Sequence, residues 1–213
     1  MMKIINQSFD ILNIEDTESS LKLLESYGRT CYKSEAKITE DSAEKFIKMI
    51  IDRGHESVLE HMFMTVRFVT DRGVSHELVR HRIASFSQES TRYCNYSDNK
   101  FGTELTFILP GWLYNMSEIS SIYKSWSNSL LTAEKEYFAL LNEGLLPQDA
   151  RVVLPNSLKT EIVMTANFRE WRYIFRLRAI SKAAHPQMRD LMIPLYDHCR
   201  FHNPIIFDMG DSE

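Results

Sequence analysis

Arg80-His81-Arg82-Ile83-Ala84-Ser85-Phe86-Ser87-Gln88-Glu89-Ser90-Thr91-Arg92 is the stretch on which the reading of this chain turns. Three arginines, a histidine and four hydroxyl side chains fall within thirteen positions, in a chain whose formal net charge is −4. A guanidinium grips phosphate oxygens through two parallel, charge-assisted hydrogen bonds. Hydroxyls and backbone N–H groups complete such sites. The segment reads as a pocket for a small phosphorylated ligand; a basic helix end followed by a polar loop is the plainer alternative.

The rest of the chain sets the frame. Its 213 residues, 44% hydrophobic and 25% charged, suffice for one domain over residues 1–213 with a full core. Seven glycines and six prolines are too few for a disordered chain. The acidic balance excludes attraction of nucleic acid by bulk field, so an anion site must come from local clustering. Cys31, Cys94 and Cys199 are an odd set with no close pair, which gives neither a disulfide framework nor a zinc ribbon. No signal-peptide order opens the chain, and no run reaches the ~18 apolar residues of a membrane span. A soluble, cytoplasmic protein without membrane or nucleic-acid partners is expected.

Periodicity outlines the elements. A first strand is expected over residues 3–12. Asp16 caps a helix carrying Leu21, Leu24 and Tyr27. Thr39 precedes a second helix, with Phe46, Ile47, Ile50 and Ile51 inward and Gly54 at its end. Residues 62–70 are apolar on both faces and read as a central strand. Asp71-Arg72-Gly73 reads as a turn, and residues 74–81 as a short helix delivering Arg80 and Arg82 to a loop. Strands follow at 105–109 and 158–168. Helices follow at 112–142, 169–180 and 186–202, the last kinked or broken at Pro194. The polar final residues are expected to be loose. Without a β-α-β rhythm, the fold class is α+β, a mixed or antiparallel central sheet flanked by helices.

A second cluster lies at 169–178. Arg169, Arg172 and Arg176 share one helical face, opposite the stripe of Phe168, Trp171, Phe175 and Ala179, and Arg178 lies off both. For Arg172 and Arg176 a solvated basic face is the simpler reading. His55, Glu56, Glu60 and His61 form H-E-x-x-x-E-H, which lacks the i, i+4 histidine spacing of zinc proteases, so no metal is expected.

The pattern R-H-R-x-x-S, four residues, then S-x-R, fixed here by Arg80, His81, Arg82, Ser85, Ser90 and Arg92, resembles the signature of the flavin-dependent thymidylate synthases. Asn167-Phe168-Arg169-Glu170-Trp171 with Leu177-Arg178 resembles the family's N-x-R-x-W and L-R block. Ala150-Arg151-Val152-Val153-Leu154-Pro155 resembles its A-R-x-x-L-P, and Ala184-His185-Pro186-Gln187-Met188-Arg189 the block after. The resemblance implies FAD held by Arg80, His81, Arg82 and Gln88, with His55 and Ser57 alongside and Asn167 and Arg169 reaching in from another subunit of a homotetramer. It implies dUMP bound by Glu77, Arg80, Gln88, Glu89, Ser90, Thr91 and Arg92, its phosphate assisted by Arg151 and its uracil faced by Arg178. NADPH would be the reductant and 5,10-methylenetetrahydrofolate the carbon donor in making dTMP. Tyr173 departs from members that carry a flavin-touching polar residue there.

The residues suit the chemistry that the resemblance implies. Methylating uracil requires C5 to become nucleophilic. A thiolate at C6 is one route, but Cys94 has no histidine near it in sequence and reads as incidental. Polarising the ring is the other: an arginine at O2 or O4 stabilises the charge that develops as N3 loses its proton. Arg178, permanently charged and planar, suits that catalytic role. Ser90, also set among the catalytic candidates, lacks an adjacent base and reads as an orienting hydroxyl. The alternative is a non-catalytic nucleotide or RNA-loop binder using Arg80, Arg82 and Arg92 for phosphate and Phe86 for stacking. The missing broad basic stripe counts against it.

Overall fold

The computed structural model describes residues 2–97 and 104–210. In chain order it runs β1 (Lys3–Ile5), β2 (Ser8–Ile14), α1 (Thr17–Tyr32), α2 (Ser42–Asp52), β3 (Phe63–Asp71), α3 (Arg72–Leu78), β4 (Ala84–Gln88), β5 (Thr106–Ile108), α4 (Ser121–Asn142), α5 (Pro147–Ala150), β6 (Lys159–Asn167), α6 (Phe168–Phe175), α7 (Pro186–His202) and α8 (Pro204–Phe207). A π-helical turn, Arg176–Ile180, extends α6, closed by an i→i+5 bond in which Ser181 N–H donates to the Arg176 carbonyl at 3.0 Å. The expected loose tail, 211–213, lies outside the described residues. No helix among those described is long and apolar enough to cross a membrane.

The sheet order is β2-β3-β6-β4, with a separate parallel pair, β1-β5, registered Lys3 to Thr106 and Ile5 to Ile108. Partners run in opposite senses along β2 and β3: Thr70 bonds Gln7, and Arg67 bonds Asp10. The same holds for β3 and β6, where Phe168 N–H donates to Met62, Thr65 meets Thr165, and Arg72 N–H donates to Leu158. This is the expected α+β class with antiparallel strands at the sheet's centre. β3 and β6 each bury one face only, Met64, Val66, Phe68 and Thr70 on one and Thr160, Ile162, Met164 and Ala166 on the other. The both-faces reading of 62–70 is corrected accordingly: Phe63 and Arg67 face water, and the pleat alternates.

Other expectations are also revised. The single strand over 3–12 is two strands in two sheets. Asp71-Arg72-Gly73 is no turn. Asp71 is the N-cap of α3, its carboxylate accepting from Val74 N–H at 2.7 Å. The segment after Arg80 is not all loop, since Ala84–Gln88 is strand β4. The helix expected from 112 begins at Ser121, whose cap Ser120 accepts from Tyr123 N–H. Pro194 does not break α7. Its ring is exposed, while Leu191, Met192, Leu195, Tyr196 and Cys199 are buried around it. That packing outweighs the ~3 kcal/mol an internal proline costs.

The chain divides into two compact units. One comprises the N-terminal residues to Ser8, Phe68–Arg80 and Ser87–Val163; the other comprises Phe9–Arg67, His81–Phe86 and the chain from Met164. The first is cored by Tyr96, Leu105, Phe107, Leu130, Tyr137, Ala150 and Leu158. In it the buried Glu134 accepts from Leu105 N–H at 3.0 Å. The second is helical and aromatic: Trp171, Phe175, Tyr196 and Phe207 stack in tilted and edge contacts, and the Trp171 indole donates to the Met64 carbonyl at 3.0 Å. There Glu25, 1% exposed, accepts from Arg29 and from Ser42 of α2, tying α1 to its neighbour.

α1 and α2 meet at Gly28. A Cβ there would lie 2.6 Å from Phe46 Cε1, in a buried ring that Arg29 covers at 4.3 Å. Helix preference favours alanine over glycine by ~1 kcal/mol. Overpacking a rigid core costs about 1–3 kcal/mol. Gly28→Ala is therefore expected to lower stability in chemical denaturation; a raised midpoint would show that the ring gives way freely.

Candidate functional site

α3 begins directly at the Asp71 cap, with no loop to loosen it. Its Arg72 and His76, four residues apart, share a face and line a cleft of about 340 Å³ with Thr91, Arg151, Pro155 and Asn156. Arg151 sits on a 3₁₀ turn. Its Nη1 donates to Thr91 Oγ1 at 3.1 Å and its Nε to the Gln148 carbonyl at 3.1 Å. Arg72 Nη1 is buried without a hydrogen-bond acceptor among the described residues. Two guanidiniums and a hydroxyl on one cleft form a donor set for a phosphate. Sequence reading found Arg151 and Thr91 but missed Arg72 and His76; their i, i+4 spacing was the available signal, hidden by reading residue 72 as a turn.

The loop after β4 is held from within. Gln88 Nε2 donates to Ser75 Oγ at 2.9 Å and Thr160 Oγ1 at 3.2 Å. Glu89 accepts from Tyr96 O–H at 2.9 Å on one oxygen, and from Lys159 Nζ at 3.0 Å and Glu161 N–H at 3.2 Å on the other. Burial first, then the Glu89 charge, push the Tyr96 phenol above its ordinary range, so it stays a donor. Burial alone would pull Lys159 down, but Glu161 and Glu89 outweigh it and keep the ammonium charged. Ser90 Oγ accepts from Arg92 N–H at 3.3 Å, and Arg92 lies 5.7 Å over Tyr93. Cys94 packs against the Tyr96 core.

In the other unit, Asn167 caps α6, its side-chain oxygen accepting from Glu170 N–H at 2.8 Å. Arg169 pairs with Glu60 at 2.5 Å. Arg172 is 3% exposed, which overturns the solvated reading. It donates to Glu56 at 3.1 Å and to the Ile206 carbonyl, while Arg176, nearly half exposed, stands 3.5 Å from the same Glu56. Burial lowers the Arg172 pKa, and the Glu56 charge offsets only part of that. Arg178 leaves that face: its Nε donates to His81 Nε2 at 3.2 Å, and His81 Nδ1 lies 3.4 Å from Glu170. His81 is buried, and desolvation and then the Arg178 charge bring its pKa down to about 4. His55 Nδ1 meets Tyr32 O–H at 2.7 Å, and His61 packs on Tyr27. Among the described residues no three His, Cys, Asp or Glu are grouped to hold a metal ion.

The structure thus joins Thr91 to Arg151 and His81 to Arg178. Arg80 and Arg82 are exposed and carry no side-chain partner among the described residues. Ser57 is exposed at the start of a 3₁₀ turn, and Glu77 is half-buried on α3. The positions of Arg80, Arg82, His55, Ser57, Asn167 and Arg169 leave their ligand roles as expectations.

Removing one partner of a buried ion pair typically costs about 3–5 kcal/mol, because the other charge is stranded. Glu56→Leu is expected to destabilise the protein on that scale in urea, and Glu56→Leu with Arg172→Met to recover much of it; equal losses in both would refute the pairing. The low His81 pKa sets a second expectation. Between about 6.5 and 4 the unfolded chain holds a proton on this residue that the folded chain does not, so its contribution to stability is full above 6.5 and is lost as pH falls toward 4. Its imidazole signals in NMR should titrate near 4; titration above 6 would contradict the burial argument.

With this geometry in place, comparison with known proteins is informative. The sequence profile of the thymidylate synthase complementing protein family matches residues 14–205. A protein of Geobacter sulfurreducens named flavin-dependent thymidylate synthase is 33% identical over 199 residues, covering 90% of this chain and 81% of that one. One of the same name from Corynebacterium aurimucosum is 34% identical, covering 91% and 81%. A third, from Pyrococcus furiosus, is 34% identical over 162 residues, 76% of this chain but 64% of its relative, and for a Pyrococcus abyssi relative the share is 59%. The chain thus spans less than two thirds of the length of these archaeal relatives. The solved structure of a UMP/dUMP methylase, PolB of Streptomyces cacaoi bound with 5-Br dUMP, shares the fold with a TM-score of 0.77 over 97% of this chain and 96% of its own, at 20% identity. A profile match across nearly the whole chain, with relatives at this identity, places the protein in the thymidylate synthase complementing protein family.

Proposed function

We propose that this chain, acting as one domain over residues 1–213, is a flavin-dependent thymidylate synthase. It converts dUMP to dTMP with 5,10-methylenetetrahydrofolate as carbon donor and NADPH as reductant, releasing tetrahydrofolate. It works as a cytoplasmic homotetramer whose sites draw residues from more than one subunit. The observation that carries the reading is the complete motif, Arg80, His81, Arg82, Ser85, Ser90 and Arg92, in a family whose members bear that name. The 5-Br dUMP bound by the methylase of similar fold favours the same nucleotide.

The residues suit FAD. A pyrophosphate needs cations that are not already neutralised, and the exposed Arg80 and Arg82, without side-chain partners among the described residues, provide them. Tyr173, 50% exposed, and Leu177, 39%, offer apolar surface for a ring system. His55, Ser57, His81, Gln88, Asn167 and Arg169 complete the set. When bound, FAD relays the reducing equivalents of NADPH. The protein's own part is placement and charge. Arg151 and Thr91, joined by Arg72, hold the nucleotide phosphate; Glu77 and the Gln88–Arg92 run place the sugar and base, with Ser90 as an orienting hydroxyl. Arg178 stabilises negative charge on the uracil as N3 gives up its proton.

Purified protein is expected to be yellow or to become so with FAD, and to form dTMP only when dUMP, methylenetetrahydrofolate and NADPH are all supplied. Arg178→Ala should lower turnover ~10²–10³-fold, the usual loss for one preorganised donor, with flavin binding largely kept. No spectral change at saturating FAD rejects the flavoenzyme, and dUMP binding without turnover would favour the non-catalytic binder.

A further inference from the structure

We propose that His81 is a positioning residue for Arg178: a hydrogen bond from Arg178 to His81, backed by the Glu170 carboxylate beside the far ring nitrogen, fixes the plane of the Arg178 guanidinium. The inference rests on the reading of Arg178 as the group that stabilises charge on the uracil ring. An arginine Nε always carries its hydrogen. At 3.2 Å from His81 Nε2 it can only be the donor, so Nε2 carries the lone pair. A neutral imidazole with a bare Nε2 bears its proton on Nδ1. That proton faces Glu170 Oε1, 3.4 Å from Nδ1. The carboxylate therefore selects the tautomer that can accept from Arg178, the arrangement by which a carboxylate commonly orients a functional imidazole.

The line is enclosed and rigidly mounted. His81 is 5% exposed and Glu170 9%, and the Tyr173 ring meets His81 edge-on at 6.3 Å. Protonating Nε2 would set an N–H against the Arg178 N–H and a cation beside a cation, so the ring stays neutral, in keeping with its low pKa. Glu170 is held in the first turn of α6 by the Asn167 cap, and Arg178 reaches His81 through the π turn. A guanidinium is planar. Once the direction of Nε–H is set, rotation about the Cδ–Nε bond is set, and with it the directions of both Nη groups. A lysine has no such plane to hold.

The test uses FAD-loaded protein and four variants. His81→Leu removes the acceptor; His81→Gln keeps an oxygen near the Nε2 position. Glu170→Met removes the tautomer selector; Glu170→Gln keeps an acceptor for Nδ1–H. Expected for His81→Leu is a fall in kcat of roughly 10- to 100-fold, the scale seen when an orienting partner is lost. At saturating FAD, its KM for dUMP should change less than kcat. His81→Gln should recover most of the loss, and Glu170→Gln should outperform Glu170→Met. The Arg178 Nε–H resonance, followed by ¹⁵N NMR, should move in His81→Leu and return toward its place in His81→Gln. Equal activity of the Leu and Gln variants overturns the proposal, as does loss of FAD affinity with unchanged kcat in the loaded fraction. If the unmodified protein neither binds FAD nor forms dTMP, the functional reading fails instead, and the Arg178 resonance alone then judges the Glu170–His81–Arg178 line.

Discussion

Two side-chain caps hold the ends of two strands to the starts of two helices. Asp71 closes β3 onto α3 and Asn167 closes β6 onto α6, each by one oxygen accepting the N–H three residues on. A cap of this kind contributes about 1 kcal/mol. Its larger effect is geometric. With no loop between strand and helix, the sheet sets the helix axis and the cap sets its phase. Arg72 and His76 then face the cleft because they are one and five residues past Asp71. Glu170 meets His81 because it is three past Asn167.

Charge is handled in two ways. Glu25 is buried with Arg29 of its own helix and Ser42 of α2, and Arg172 is buried against Glu56 of the 3₁₀ turn before β3. Breaking such pairs is costly, yet they do not reach a ligand, so they serve the packing of α1, α2 and α6. Arg80 and Arg82 are the reverse: exposed and without side-chain partners among the described residues. Glu89 lies between these extremes. Its three donors tie β4's outgoing loop to β6 and to Tyr96, so the backbone of Ser90, Thr91 and Arg92 is presented on a braced segment.

Much of this was legible in sequence because the governing effects are local. Asp16 as a cap, the inward Phe46, Ile47 and Ile50, Gly54 in the left-handed region, and the stripe of Phe168, Trp171, Phe175 and Ala179 all follow from short-range periodicity. The failures involve partners distant in sequence or local signals with two meanings. Nothing near Arg172 announces Glu56, 116 residues earlier, or the Ile206 carbonyl. Asp-Arg-Gly suits a turn and a helix start equally. Pro194 counted as a breaker because its exposed setting depends on which side of α7 the other elements cover. In the two clusters, the motifs located Thr91 and Arg151, and His81 and Arg178, but the Thr91–Arg151 and His81–Arg178 bonds, and the company of Arg72 and of Glu170, depend on the fold.

The π turn at Arg176–Ile180 has a bearing on how this helix tolerates change in length. An α-helix advances about 100° per residue, so one residue more or less re-aims everything downstream by that angle. The wide turn absorbs one extra residue between Arg176 and Ser181 and so sets the direction in which Arg178, already off the face shared by Arg169, Arg172 and Arg176, leaves the helix. Single-residue deletions in this segment that spare the arginines would therefore be conservative in composition yet severe in aim: the turn would tighten to the ordinary helix, each arginine would survive, and Arg178 would point elsewhere. Sequence drift that preserves all the arginines but shortens this stretch by one should be read as a loss of the site, and a one-residue gap in an alignment here weighs more than several substitutions.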